Sequence, residues 1–112
     1  MFNNVDLGFY DEYTHPEYKN IVLLGCTLVM TCGACPEQYD VYYVDHSQDH
    51  KIGYLRLRHG NFTAEYPDVF GELVYQASPI GDGIFEDSER LEYLTRAVKR
   101  LLEKHKETKE NE

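Results

Sequence analysis

Three groups of side chains in this sequence have the types and spacing to do chemistry. The first is Tyr54-x-Arg56-x-Arg58, with Tyr42 upstream on a separate β-branched and aromatic run. Alternate positions of a strand share a face, so these residues line up as a stripe. Guanidinium and aromatic groups side by side grip phosphates and carboxylates and stack on bases. The second is Cys32-x2-Cys35, followed ten residues later by His46-x3-His50. These ligand types suit tetrahedral zinc, although the interval before the first histidine is short and both histidines fall in a polar stretch. A turn with free thiols is the commoner explanation, so no metal and no cofactor is expected. The third is acidic: Asp11, Glu12 and Glu17 near the N-terminus, then Glu65, Asp68, Glu72, Asp82 and Glu86.

Neither redox nor hydrolytic catalysis finds support. A thiol pair of the thioredoxin type opens a long helix that depresses one thiol's pKa. Here Pro36-Glu37-Gln38 leads within a few residues into another strand. No nucleophile elbow is present. The Gly81–Asp87 run is too short and too poor in spaced carboxylates for a calcium loop. The chain is therefore read as non-enzymatic.

The charge shapes the choice of partner. The 112 residues carry a formal net charge of −9. Residues 1–50 contribute eight acids and one base; Lys51, Arg56 and Arg58 then form a small basic island, and seven acids follow without a base from Glu65 to Glu89. Such a chain is poorly suited to the phosphate backbone of nucleic acid, which is gripped by many Lys and Arg contacts. It suits a larger, basic protein partner, met by Tyr10, Asp11, Glu12, Tyr13, Glu17, Glu65, Asp68 and Glu72, with the tyrosines as anchors. The alternative is a small anionic ligand or nucleotide held by Tyr42, Tyr54, Arg56 and Arg58. The ten-residue apolar run Ile21–Met30 is about half of what a membrane helix needs. No positively charged leader precedes it, so a cytoplasmic location and no membrane contact are expected.

These side chains need a frame. Residues 20–31 read as one buried strand with a bulge or a close backbone approach at Gly25, Tyr39–Val44 as a second strand and Ile52–His59 as a third. A turn at Gly60-Asn61 leads into Phe62–Tyr66, and Glu72–Ala77 is a fifth strand. Asp45–Lys51 reads as a polar turn. A helix starts near Asp87 or Ser88, with Leu91, Leu94, Val98, Leu101 and Leu102 at helical spacing. The expected fold is α+β: an antiparallel β-meander of about four to five strands, with one C-terminal amphipathic helix packed on one face. Residues 1–19 form an acidic, aromatic segment that docks on the domain or on a partner. Residues 20–106 form the single domain, and 107–112 a frayed polar tail. Leu55 and Leu57 face the helix. Tyr54, Arg56 and Arg58 face away from it, balanced by Glu65 or Glu72 if the face is merely solvated. An unpaired edge strand leaves room for a homodimer.

Four stretches also carry a resemblance. They are Gly53-Tyr54-Leu55-Arg56-Leu57-Arg58-His59-Gly60-x-Phe62, Tyr66-Pro67-Asp68, Gly71-Glu72-x-Val74-Tyr75 and Gly81-Asp82-Gly83-x-Phe85-x-Asp87-x-Glu89-Arg90. Over roughly residues 38–103 the string resembles a group of small prokaryotic and phage proteins with no established activity. The resemblance implies a compact domain in a phage or mobile-element setting and transfers no catalytic residue. With the acidic surface, it leads to the expectation of a phage-type inhibitor that binds a host defence or nucleic-acid-handling protein.

Overall fold

The computed structural model describes residues 20–32, 36–45 and 48–110. Six strands form one antiparallel sheet in sequence order: β1 (Asn20–Leu23), β2 (Cys26–Cys32), β3 (Glu37–Asp45), β4 (Gln48–Arg58), β5 (Asn61–Tyr66) and β6 (Glu72–Ala77). The helix α1 (Asp87–Glu110) follows and packs against β4, β5 and β6. The α+β meander with one covering helix is as expected, but with six strands instead of four to five.

The extra strand comes from a turn hidden inside an apolar run. Leu24 and Gly25 have φ of 54° and 80°, so both are left-handed and close a two-residue hairpin between β1 and β2. Right-handed strand twist favours this turn geometry. Gly25 is therefore the turn, not a bulge within one strand. His59 and Gly60 repeat the device, with φ of 54° and 73°. The Arg58↔Asn61 pair flanks them, which puts the turn one residue earlier than Gly60-Asn61. Asp45 and Gln48–Lys51 are strand and not the polar turn their composition suggests, because β3 and β4 remain paired out to Asp45↔Gln48.

One face of the sheet carries the core. Ile21, Leu28, Tyr39, Val41, Leu55, Leu57, Phe62 and Ala64 are buried there against Leu94, Ala97, Val98 and Leu101 of α1. The helical residues recur three or four apart, so they share one side of α1. Leu91 falls off that stripe and is half exposed. At Gly53 helix and sheet approach closely: a Cβ there would sit 2.3 Å from Leu101 Cδ1, so any side chain requires Leu101 to shift. The helix runs on to Glu110, past residue 106. No helix among the described residues is long and apolar enough to cross a membrane.

Two carboxylates bind the loop between β6 and α1. Glu89 accepts the backbone N–H groups of Ile80, Gly81 and Glu86 at 2.8, 2.8 and 3.0 Å. The last of these is the return half of a capping box, satisfying an N–H that the helix cannot. Burial alone would push the Glu89 carboxyl up, but the three donors outweigh it and hold it below the usual glutamate range. Glu37, buried at the start of β3, accepts Phe85 N at 3.0 Å, Arg90 Nε at 2.8 Å, Arg90 Nη2 at 3.2 Å and the Tyr39 hydroxyl. Its own N–H donates to Gly83 O at 2.8 Å, and Gly60 N donates to Asp82 O at 2.7 Å. Phe85 is thereby held in the core against Phe62, their ring centroids 4.9 Å apart.

Candidate binding surface on the open sheet face

The sheet has a second face, which no described helix or strand covers. Strand alternation assigns its residues: Thr27 and Val29 on β2, Gln38, Asp40 and Tyr42 on β3, Lys51, Tyr54, Arg56 and Arg58 on β4, Thr63 and Glu65 on β5. Leu73 joins them. A register shift beside the Ala64↔Tyr75 pair places Leu73 opposite Glu65, so it leaves the core face and stands half exposed. The bulge separates it from Tyr75, with which simple alternation would group it.

The register fixes the electrostatics of the Tyr54-Arg56-Arg58 stripe. Tyr54 stands between Asp40 and Glu65, Arg56 between Gln38 and Thr63, and Arg58 opposite Asn61. Both arginines therefore have neutral neighbours across the sheet. Among the described residues neither enters an ion pair. The balancing pairs expected with Glu65 or Glu72 do not form. Glu65 instead accepts Phe70 N at 3.0 Å, and Glu72 takes Lys104 of the helix at 2.9 Å. The Tyr54 hydroxyl is pushed up by partial burial and by Asp40 and Glu65, against the downward pull of Arg56 beside it. Tyr42 sits on the same face, opposite Lys51.

Further along, Lys51 Nζ lies 3.0 Å from Asp40 and 2.8 Å from Asp68. Burial lowers the Lys51 pKa, but its bonds to Asp68 and Asp40 more than compensate and the net shift is upward. The Asp68 carboxyl is held below its usual range by Lys51 and by the N–H of Val69. This bridge ties the β5–β6 loop to the open face. Within the loop, Asp68 Oδ1 accepts Val69 N at 2.7 Å and Asp68 O accepts Gly71 N at 2.9 Å. Phe70 sits at the tip with φ of 69° and a side chain 93% exposed. Left-handed backbone in a non-glycine residue costs about 1–2 kcal/mol. Hydrogen bonds from loop N–H groups to Glu65 and Asp68 hold the strained loop in place. Val69 and Leu73, both exposed, flank it.

Other expected groupings fare differently. Glu65 and Glu72 lie on opposite faces, since Glu72 pairs with Tyr66, whose hydroxyl meets His105 of the helix at 3.0 Å. Glu65, Asp68 and Glu72 thus do not converge on one free acidic patch. Tyr10, Asp11, Glu12, Tyr13 and Glu17 lie outside the described residues, as do Cys35 and His46. Cys32 pairs with Gln38 and His50 with Tyr43. Five positions of β3 separate these partners, about 17 Å along a strand, so Cys32 and His50 cannot share one zinc ion, whose ligands stand within about 2.3 Å of it. Among the described residues no three His, Cys, Asp or Glu side chains cluster as metal ligands. Sequence reasoning missed Val69-Phe70. The available signal was two large apolar residues inside a turn that already contains Pro67, Asp68 and Gly71. Comparison with protein-family models, with curated proteins and with solved structures finds no match.

Proposed function

We propose that this chain is a non-enzymatic interaction protein that docks a partner protein on the open sheet face and the β5–β6 loop at its margin. The observation that carries the reading is Phe70: a fully presented aromatic ring on a strained backbone, fixed by side-chain hydrogen bonds. Strain of this kind persists where the surroundings enforce it, and it concentrates at binding and switch sites. A loop backbone held in place before binding loses little conformational freedom on contact, which favours affinity. Val69 and Leu73 extend the apolar contact around it. Because Asp68 and Glu72 are engaged by lysines of the same domain, the reading rests on the aromatic anchor and not on a free acidic surface. Masking a partner's surface is how an inhibitor of the phage type would use such a module.

The test is capture by the tagged full chain from cells that encode it, compared with its Phe70→Ser variant. A partner held in stoichiometric amount by the wild type and lost with Phe70→Ser is the expected result. Equal capture by both proteins, or no stoichiometric partner, refutes the proposal.

A further inference from the structure

We propose that Arg56 and Arg58 receive an extended acidic segment of the partner, one bearing carboxylates at alternate positions. The inference deepens the interaction reading but stands on its own observation. In a chain of net charge −9, two guanidinium groups share one face of a central strand. Gln38, Thr63 and Asn61 flank them where carboxylates would be ordinary. A solvated sheet face normally sets opposite charges across from each other. This one sets its carboxylates one step away, beside Tyr54, and engages Asp40 with Lys51 and Glu65 with Phe70 N. Arg56 lies beside the Tyr54 hydroxyl, and among the described residues neither arginine is in an ion pair, so both guanidinium groups can take an anion.

The spacing selects the shape of that anion. Alternate residues on a strand stand about 6.5–7 Å apart. An extended ligand chain has the same repeat, so carboxylates two residues apart meet Arg56 and Arg58 in register. Each guanidinium can take a carboxylate with two parallel N–H bonds. Tyr54 continues the stripe by one more repeat and offers an aromatic surface to the next side chain. A single compact anion spans the pair poorly.

The probe is a fluorescein-labelled peptide with glutamates at three alternate positions separated by serines, titrated into the full-length protein by fluorescence polarisation. Controls are the same peptide with glutamine for glutamate, and unlabelled pyrophosphate as competitor. We expect saturable binding of the acidic peptide that weakens with salt. Arg56→Gln and Arg58→Gln should each reduce affinity about ten-fold or more, the scale of one charge-assisted hydrogen-bonded contact. Arg56→Lys keeps the charge but loses the fork and should fall between. The glutamine peptide should not bind, and pyrophosphate should compete only weakly. No binding of the acidic peptide, wild-type affinity in both glutamine variants, or equal binding of the glutamine peptide overturns the proposal. Tight competition by pyrophosphate overturns its extended form. The two readings fail separately: a captured partner that is lost with Phe70→Ser, together with no peptide binding, overturns this site and leaves the function standing. Peptide binding without any captured partner refutes the function and leaves this site standing.

Discussion

Replacing Glu37 by glutamine should be among the most damaging changes in the domain. Its side chain is 1% exposed and accepts hydrogen bonds from Arg90, Phe85 N and Tyr39. Glutamine keeps the volume and one acceptor but removes the charge facing Arg90, whose side chain is only 13% exposed. Removing one partner of a buried ion pair costs about 3–5 kcal/mol. Asp87 and Phe85 O still hold Arg90, which argues for the lower end, about 3 kcal/mol. That is a large fraction of the roughly 5–15 kcal/mol that stabilises a domain, and corresponds to a fall in Tm of roughly 12–24 °C. Urea unfolding followed by circular dichroism reads it directly. The midpoint should drop with little change in slope. Arg90→Met completes a cycle: the double variant should be about 2 kcal/mol more stable than the sum of the single losses indicates, because neither orphan remains charged and buried. A Glu37→Gln protein within about 0.5 kcal/mol of wild type, the range of an ordinary surface substitution, would refute the reasoning.

The other expectations concern packing, turns, protons and thiols. Gly53→Ala drives a methyl into Leu101 and should cost about 1–3 kcal/mol by overpacking, with partial rescue by Leu101→Ala in thermal melts. Leu24→Asn supplies the residue preferred at a left-handed turn position and should raise stability by about 1 kcal/mol; a lower urea midpoint would contradict the turn. The carboxyls of Glu89 and Asp68 have pKa values lowered by folding, so their contribution is fully present above their unfolded pKa and is lost as pH falls through the folded one. The urea midpoint should therefore be flat from neutrality to about pH 5 and decline below it, less steeply in Glu89→Gln. Burial pushes the Cys26 thiol up to about 11, so iodoacetamide at pH 8 should label Cys26 only on unfolding, as mass spectrometry would show.

Much of this architecture was legible because periodicity reports burial. Leu55 and Leu57 alternate with Tyr54, Arg56 and Arg58, and the structure buries the first pair and leaves the second set on the open face. Leu94, Val98 and Leu101 repeat at helical spacing and form the buried stripe. What stayed hidden were places where one residue breaks the period. Leu24 is an apolar residue in a turn, so the run from Ile21 to Met30 conceals a hairpin. The bulge beside Ala64 sends Leu73 to the other face. The candidate surface was half legible: the arginine stripe follows from alternation, but the neutrality of its neighbours depends on register. Glu37 looked like part of a polar link between strands. Its partner is 53 positions away, and no local pattern points to it.

Sequence order in the sheet has a consequence for synthesis on the ribosome. Every strand pairs with its neighbour in the chain, so each hairpin can form as soon as its second strand emerges, with little loop-closure entropy to overcome. The helix that covers the core face comes after all six strands, and with it the Arg90 that neutralises Glu37. Until α1 emerges, the growing chain presents a sheet with one apolar face bare and a carboxylate awaiting its cation. The fold is thus quick to pair and late to seal. Its aggregation hazard is concentrated in the interval between β6 and α1.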